Sequence, residues 1–177
     1  MIIDENTGNG GFVTTTTGNI TSLTGGGWTA ANGVWVTTDS GLTSDPFGTQ
    51  VLANSQAVQI HQGIGETLTS SAFALNSGET INFSIDWMVS GSGDLILSID
   101  LVGTGAEGTI NLASLNSSGG PASLTQADFN GAVVANTGTY ELVMTLPALS
   151  PGRDVAVDRV YLESVSPPAS GTVFFTK

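Results

Sequence analysis

The run Ile81-Asn82-Phe83-Ser84-Ile85-Asp86-Trp87 alternates apolar and polar side chains at every step. A period of two places one set of side chains on a core and the other toward solvent, which is typical of a β-strand covered on one face. The runs Leu95 to Leu101 and Tyr140 to Leu146 repeat the pattern. We therefore predict three long antiparallel strands that share a core formed by Phe83, Ile85, Trp87, Leu97, Ile99, Leu142 and Met144.

Shorter strand candidates fill the rest of the chain. They are residues 12–17, 33–38, 57–62, 66–75, 108–112, 131–134 and 155–163. Clusters of Gly, Pro, Asn and Ser separate them and predict turns. We predict that Ser90 to Asp94 forms a hairpin connection, and that one short helical turn at most occurs in 123–129. About ten strands with short turns predict an all-β fold, an antiparallel two-sheet jelly-roll β-sandwich with extended terminal arms.

The two ends of the chain differ from its middle. We predict an N-terminal arm at residues 1–8, the sandwich at 9–163 and a C-terminal arm at 164–177. Pro167 and Pro168 interrupt strand pairing and favour an extended conformation in the second arm. The segment Val173, Phe174 and Phe175 that follows is too apolar to remain in water. We expect it to form an interface, either as an edge strand of its own chain or on a neighbouring chain.

Composition and charge exclude several classes of function. The chain has 15 acidic residues, 3 basic residues and a formal net charge of −12. Nucleic-acid backbones and anionic lipids need clustered cations, so we expect neither nucleic acid nor membrane as a partner. The chain has no Cys, which excludes disulfides and thiol chemistry. Met1 to Glu5 has no basic or long apolar stretch, so no signal peptide is visible.

Three motifs resemble the galactose-binding-like jelly rolls, a group that includes many carbohydrate-binding modules. They are Asn9-Gly10-Gly11-Phe12, Gly27-Trp28 and the segment Val157 to Leu162. The resemblance implies that Trp28 packs under the sandwich. It also implies a structural calcium site at Asp158, although Val13 and Arg159 stand where the family has further acidic residues. Asp158 with backbone carbonyls is therefore the candidate calcium ligand, and we expect no other cofactor.

The residues that could support catalysis are sparse. His61 is the only histidine, and no G-x-S-x-G motif accompanies it. Asp86, Asp100 and Glu141 are predicted on the outward faces of strands, where carboxylates limit edge pairing and keep a protein soluble. We expect the cluster Asp154, Asp158 and Glu163 to be solvated as well. Gly103 to Gly108 has no Lys and no following helix, so we predict a hairpin turn rather than a phosphate loop. We expect no enzymatic activity.

Trp35 is the candidate ligand-binding aromatic residue. It lies between Val34 and Val36, so it faces outward if the two valines face the core. Exposed aromatic rings stack on sugars and also anchor protein interfaces. Three roles stay open for Trp35: a buried core residue, an interface anchor or a sugar platform.

Two functions fit these observations. The first is a non-catalytic structural protein of a virion surface, of the capsid decoration or cement type, whose arms reach further copies in a homo-oligomer or other shell subunits. The alternative is a carbohydrate-binding module with a polysaccharide partner, which the family resemblance and Trp35 favour. The expected location is accordingly a virion surface or the extracellular space. Assembly with identical copies favours the first function, and retention of a sugar favours the second.

Overall fold

The computed structural model describes residues 1–3, 12, 18–22, 27–38, 56–61, 66–91, 96–116, 118, 120–146 and 153–168, with the backbone alone at 18–22, 32–38, 56, 57, 59, 61, 90, 91 and 153. These residues contain eleven strands and no helix, so they include no helix that could span a membrane. The strands are β1 Gly18–Ser22, β2 Thr29–Thr38, β3 Gln56–His61, β4 Glu66–Thr69, β5 Phe73–Leu75, β6 Thr80–Gly91, β7 Ile96–Gly103, β8 Thr109–Asn116, β9 Thr125–Val133, β10 Gly138–Leu146 and β11 Arg153–Val165.

The strands form two antiparallel layers that β2 connects. The hydrogen-bonded order is β8-β7-β10-β4-β2-β3-β11-β6-β9, with β1 beside β2 and β5 beside β10. The first part of β2 pairs with β4 and its last part pairs with β3. We name the β3-β11-β6-β9 group the β6 layer and the β8-β7-β10-β4 group the β7 layer. The prediction of an all-β antiparallel sandwich is confirmed.

One hydrophobic core lies between the two layers. The side chains predicted to share it are all buried in a single cluster, which confirms the strand phase read from the alternation. They are Phe83, Ile85, Trp87, Leu97, Ile99, Leu142 and Met144. The alternation has this effect because a strand sends successive side chains to opposite faces, and only one face of each layer is covered by the other layer.

Two of the sequence motifs meet inside this core. The rings of Phe12 and Trp28 are tilted by 49° with their centroids 5.1 Å apart, and both side chains are buried. Tilted aromatic pairs at this separation are favourable because the positive edge of one ring approaches the negative face of the other. The predicted packing of Trp28 under the sandwich is therefore confirmed.

The predicted hairpin at Ser90 to Asp94 is wrong. β6 pairs with β9 and β11, whereas β7 pairs with β8 and β10. β6 and β7 therefore belong to different layers and are not the two strands of a hairpin. Glycine and serine indicate where a chain turns, but the pairing partner depends on which apolar faces must meet in the core. The predicted hairpin at Gly103 to Gly108 does join paired strands, and the Gly103 N–H donates to the Gly108 carbonyl at 2.8 Å.

One predicted strand is also wrong, and the single helical turn that the sequence allowed at 123–129 is not used. The segment 123–129 forms no helical turn and instead enters β9, whose Phe129 ring stacks on Phe83 with the centroids 6.1 Å apart. Burial of this ring against β6 outweighs a weak local preference. Residues 66–75 are not one strand but β4 and β5, which both pair with β10. Between them the Ser70 hydroxyl accepts the Leu142 N–H at 2.9 Å, replacing a bond of the ladder.

The start of the chain pairs with β11. Ile3 and Leu162 exchange N–H···O bonds of 2.8 and 3.1 Å, and the Ile3 side chain is buried in the core. This contact occupies β11 beyond the part that pairs with β3. The division into a domain at 9–163 with arms on either side stays a prediction.

Truncation of Phe83 to Ala should lower the free energy of unfolding by about 3–5 kcal/mol, because it removes a fully buried ring and leaves a cavity. Urea unfolding followed by tryptophan fluorescence measures the change. Ile96→Ala is the control, since the Ile96 side chain is 49% exposed and a surface change should stay within about 0.5 kcal/mol. A loss below about 1 kcal/mol for Phe83→Ala would contradict the packing described for this ring.

Candidate functional site

Some of the predicted site residues lie in described strands, and others lie outside the described residues. Trp35 lies in β2, where it pairs with Asn19 and Gln59. Its neighbour Val36 pairs with Val58, whose side chain is fully buried in the core. The Trp35 and His61 side chains lie outside the described residues, so the roles considered for them stay predictions. Val173, Phe174 and Phe175 also lie outside the described residues, and so does their predicted interface.

Asp158 and Asp86 are buried, which corrects the prediction that both carboxylates are solvated. Their relative accessibilities are 0% and 5%. The two residues stand directly opposite each other on β11 and β6. Burying two like charges side by side is unfavourable unless each carboxylate has a hydrogen-bonding or charged partner. The alternation placed Asp86 correctly on the side away from the core, but it could not show these partners.

A β-bulge at Arg159 supplies them. From Asp158 to Tyr161 β11 advances three residues while β6 advances two, from Asp86 to Ser84. Arg159 takes a φ of 42°, in the left-handed region that non-glycine residues rarely adopt. Its N–H donates to the Asp158 Oδ1 atom at 2.8 Å, and its guanidinium forms an ion pair with the Asp86 carboxylate. The bulge therefore turns Arg159 toward the outer side of the layer.

The bulge also changes which residues of β11 face the core. Val157 lies in the core before it, and Val160 and Leu162 lie in the core after it. Tyr161 and Glu163 are consequently placed on the outer side, in register with Ser84 and Asn82 of β6. A regular strand would have sent this aromatic side chain inward.

The outer side of β9, β6 and β11 carries a group of polar side chains, which we name the Tyr161 face and which is buried at its Asp86 end. It consists of Asn82, Ser84, Asp86, Gln126, Asp128, Asn130, Arg159, Tyr161 and Glu163. Its side chains bond to each other: the Gln126 amide donates to Asp128 at 2.8 Å, and the Asn82 amide donates to Glu163 at 3.4 Å. The first bond runs along β9 and the second crosses from β6 to β11, so both hold amide and carboxylate groups in place on this side of the layer.

Tyr161 is the aromatic residue of this surface and is partly exposed. The other aromatic side chains that the structure describes belong to the core or pack against it. Tyrosine combines a flat ring, which stacks on apolar faces, with a hydroxyl that donates and accepts hydrogen bonds. A ring beside rows of hydrogen-bonding side chains can contact both the apolar face and the hydroxyl groups of a sugar. Among the described side chains, this combination of an aromatic face and hydrogen-bonding rows occurs at Tyr161.

The residues that the structure describes around Asp158 do not fit a calcium ion. The Asp158 carboxylate accepts an N–H, and the facing Asp86 is paired with the positive guanidinium of Arg159. Calcium requires six to eight oxygen ligands, and a neighbouring cation opposes its binding. The described residues contain no group of three or more acidic or histidine side chains suited to a metal. We assign no role to calcium.

A second polar surface lies at the turns that follow β7 and β9. A shallow cleft of about 280 Å³ is lined there by Ala106, Glu107, Asn136 and Thr137. The pKa of Glu107 is lowered because its carboxylate accepts backbone N–H groups, its own first and then those of Gly105 and Thr139. The Tyr140 hydroxyl donates to the Asn136 carbonyl at 2.6 Å, and burial together with the Glu107 charge raises its pKa. These contacts hold the two turns together, and the lining has no aromatic side chain.

Glu79 fixes the neighbouring turn between β5 and β6. Its carboxylate accepts the side-chain amide and the backbone N–H of Asn76, each at 3.1 Å. These two bonds, with smaller contributions from Ser164 and Ser166, lower the pKa of Glu79 although burial opposes the change. The carboxylate thus connects this turn to the end of β11.

Comparisons with known proteins identify the fold. No model of a known protein family matches the chain, and no curated protein matches it. The CBM22-1 xylan-binding domain of Paenibacillus barcinonensis Xyn10C is 15% identical over 86% of this chain and 95% of its own, with a TM-score of 0.52. TmCBM61, solved with β-1,4-galactotriose, is 14% identical over 77% of this chain and 87% of its own, with a TM-score of 0.51.

A third structure matches as part of a larger chain. Arabinose-bound MgGH51 α-L-arabinofuranosidase is 14% identical over 85% of this chain and 25% of its own, with a TM-score of 0.62. At these identities the likeness shows the fold alone. This chain is a β-sandwich of the kind that carbohydrate-binding modules adopt, which confirms the resemblance to galactose-binding-like jelly rolls.

Glu79 should make the stability depend on pH in the acid range. Since its pKa in the folded protein lies below the ordinary value of 4.5, its hydrogen bonds stabilise the fold fully above pH 4.5, and this contribution is lost as the pH falls through the lowered value. We expect Glu79→Gln to be less stable than the parent at neutral pH, and the difference to shrink on acidification. Urea unfolding at a series of pH values measures it.

Asn76→Ala is the matched variant for this experiment, because it removes the principal donor to the Glu79 carboxylate. It should reduce the same acid-range dependence. A difference between parent and Glu79→Gln that does not change with pH would contradict the assignment.

Proposed function

We propose that this chain is a non-catalytic carbohydrate-binding module that binds a neutral polysaccharide on the Tyr161 face. The observation that carries the proposal is the partly exposed Tyr161 ring beside hydrogen-bonding side chains on the outer side of the β6 layer. The fold supports it, because proteins with this fold include xylan- and galactan-oligosaccharide-binding modules.

The chemistry of a sugar ring matches this surface. One side of a pyranose ring presents C–H groups that stack on an aromatic face, and its edge presents hydroxyl groups. Asp128 and Glu163 accept hydrogen bonds from hydroxyl groups, whereas Asn130 and Arg159 can donate to them. A chain that lies across β9, β6 and β11 would meet these groups in succession.

The charge of the surface favours a neutral ligand. Asp86, Asp128 and Glu163 contribute three carboxylates against the single guanidinium of Arg159, and the whole chain carries a net charge of −12. A polyanionic polysaccharide would be repelled by this field at low ionic strength. A neutral polysaccharide would not experience this repulsion.

The carboxylates that were considered for glycoside hydrolysis are bound by other side chains of the protein or lie far apart. Asp86 is paired with Arg159. Asp100, in the other layer, accepts the Ser98 hydroxyl at 2.6 Å and the Asn111 amide at 2.8 Å. Glu141 lies on β10 in that same layer, away from Asp86. These positions support binding rather than catalysis.

An extracellular location is part of this proposal, because polysaccharides of this kind occur outside cells. The virion-surface function, with further copies or shell subunits as partners, stays a prediction. It depends on the apolar segment Val173, Phe174 and Phe175, which lies outside the described residues.

Replacement of Tyr161 by Ala should weaken binding to soluble xylan or β-1,4-galactan about tenfold or more, since loss of stacking of about 0.5–1.5 kcal/mol is added to the lost contact area. Tyr161→Phe keeps the ring and should retain most of the affinity. Affinity electrophoresis and titration calorimetry on the full chain measure the dissociation constants.

Trp35→Ala tests the residue that the sequence indicated, in parallel with Tyr161→Ala. Loss of affinity in Trp35→Ala alone would place the ligand on another part of the surface. A parent protein that binds neither polysaccharide would argue against a carbohydrate-binding function altogether.

A further inference from the structure

We infer that Arg159 orients the polysaccharide on the Tyr161 face, and that the bulge in β11 aims its guanidinium at the hydroxyl groups of the ligand. This inference rests on the proposed function and names the residue that determines its specificity. Two observations at Arg159 support it, and the fold alone requires neither. The backbone of this residue is strained, and its side chain is a cation on a very acidic chain.

The backbone at Arg159 is held in an unfavourable conformation. With a φ of 42° this residue lies where glycine is the ordinary choice, because a Cβ atom crowds the following carbonyl oxygen. Strained non-glycine positions persist where the surrounding structure enforces them, and they cluster at ligand-binding sites. Bulges likewise re-aim side chains beside functional sites. A bulge needed only to shift the strand phase would accept glycine at this position.

The guanidinium is only partly used by the protein itself. Its Nη2 atom contacts the Asp86 Oδ2 atom, while 47% of the Arg159 side chain remains exposed. A guanidinium has five N–H donors in a planar fork, so donors remain for a ligand. Arg159 is also the only cationic side chain that the structure describes. It is therefore the strongest hydrogen-bond donor of the Tyr161 face.

Donor and acceptor groups lie on either side of the aromatic ring. Arg159 precedes Tyr161 on β11, and Glu163 follows it, with Asp128 across β6 in the Tyr161 row. A sugar ring stacked on Tyr161 would present hydroxyl groups to a donor on one side and to acceptors on the other. Such an arrangement distinguishes the two directions in which a polysaccharide chain can lie.

The guanidinium does not make the site attractive for anionic sugars. Asp86 is buried and neutralises Arg159 locally, and Asp128 and Glu163 remain as charges. The ligand class that fits is a neutral polysaccharide with adjacent ring hydroxyl groups, such as a xylan or a galactan backbone. Arg159 could instead serve only to compensate the buried charge of Asp86. In that case its replacement would change the stability of the protein but not its affinity for the polysaccharide.

The experiment compares Arg159→Gly and Arg159→Lys with the parent full-length chain, using soluble neutral xylan and β-1,4-galactan as probes. Glycine removes the guanidinium and relieves the backbone strain, whereas lysine keeps the charge beside Asp86 but loses the planar fork. We expect affinity to fall about tenfold or more in Arg159→Gly and by a smaller factor in Arg159→Lys. Urea unfolding of each variant separates affinity from stability.

Glu141→Gln is the control, because Glu141 lies on the outer side of the β7 layer. It should bind like the parent. If Arg159→Gly does not fold, Arg159→Lys carries the test, since the buried Asp86 keeps a cationic neighbour. Polygalacturonate is the charged probe, and it should bind the parent at least about tenfold more weakly than the neutral probes at low salt.

The outcomes separate this inference from the proposed function. Affinity within about twofold of the parent in folded Arg159→Gly, or in Arg159→Lys if the glycine variant does not fold, would overturn the role of Arg159 while leaving a carbohydrate-binding module in place. Tight binding of polygalacturonate would overturn the neutral ligand class. A parent that binds no probe would overturn both the proposed function and the inference.

Discussion

The antiparallel ladder between β6 and β11 is the constraint on which both faces of the β6 layer depend. It extends from Arg153 beside Gly91 to Val165 beside Thr80. On its inner side it buries Phe83, Trp87 and Leu162, and on its outer side it presents the Tyr161 face. Since side chains alternate along a strand, a slip of one residue would exchange these two surfaces, so the hydrophobic core specifies the register of the polar face.

The shortage of cations shapes how this acidic chain accommodates its carboxylates. With 15 acidic residues against 3 basic ones, most carboxylates have no ion-pair partner available. Glu79, Glu107 and Asp158 accept backbone N–H groups instead, and the first two thereby hold turns in place. Arg159 is placed where a carboxylate is buried, which is where an unpaired charge would be most costly. One cation thus serves the stability of the layer and remains partly exposed on its surface.

The sequence indicated part of the candidate site. The carboxylates of Asp86 and Glu163 were placed on outward or solvated positions, but Asp158 and Trp35 are not part of the Tyr161 face, and Tyr161 and Arg159 were not recognised as site residues. A signal for them is present in the spacing of apolar residues along β11, where Val155 and Val157 are followed by Val160 and Leu162. The step of three between Val157 and Val160 breaks the period of two, and such a step indicates a bulge. The ion pair with Asp86 could not be found this way, because its partners are 73 positions apart in the chain and meet only through strand pairing.

The packing of Trp28 was implied by the resemblance to galactose-binding-like jelly rolls. The sequence by itself determined the fold class and the core-facing residues of the three long strands. These follow from the period-two alternation and from local turn chemistry, which act over a few residues. Tertiary structure decided which strands pair, that β6 and β7 lie in different layers and that 125–133 is a strand. It also decided that Asp86 and Asp158 are buried and that Tyr161 faces outward. Those outcomes depend on contacts between residues distant in the chain, since burial and register are properties of two packed surfaces and not of either segment alone.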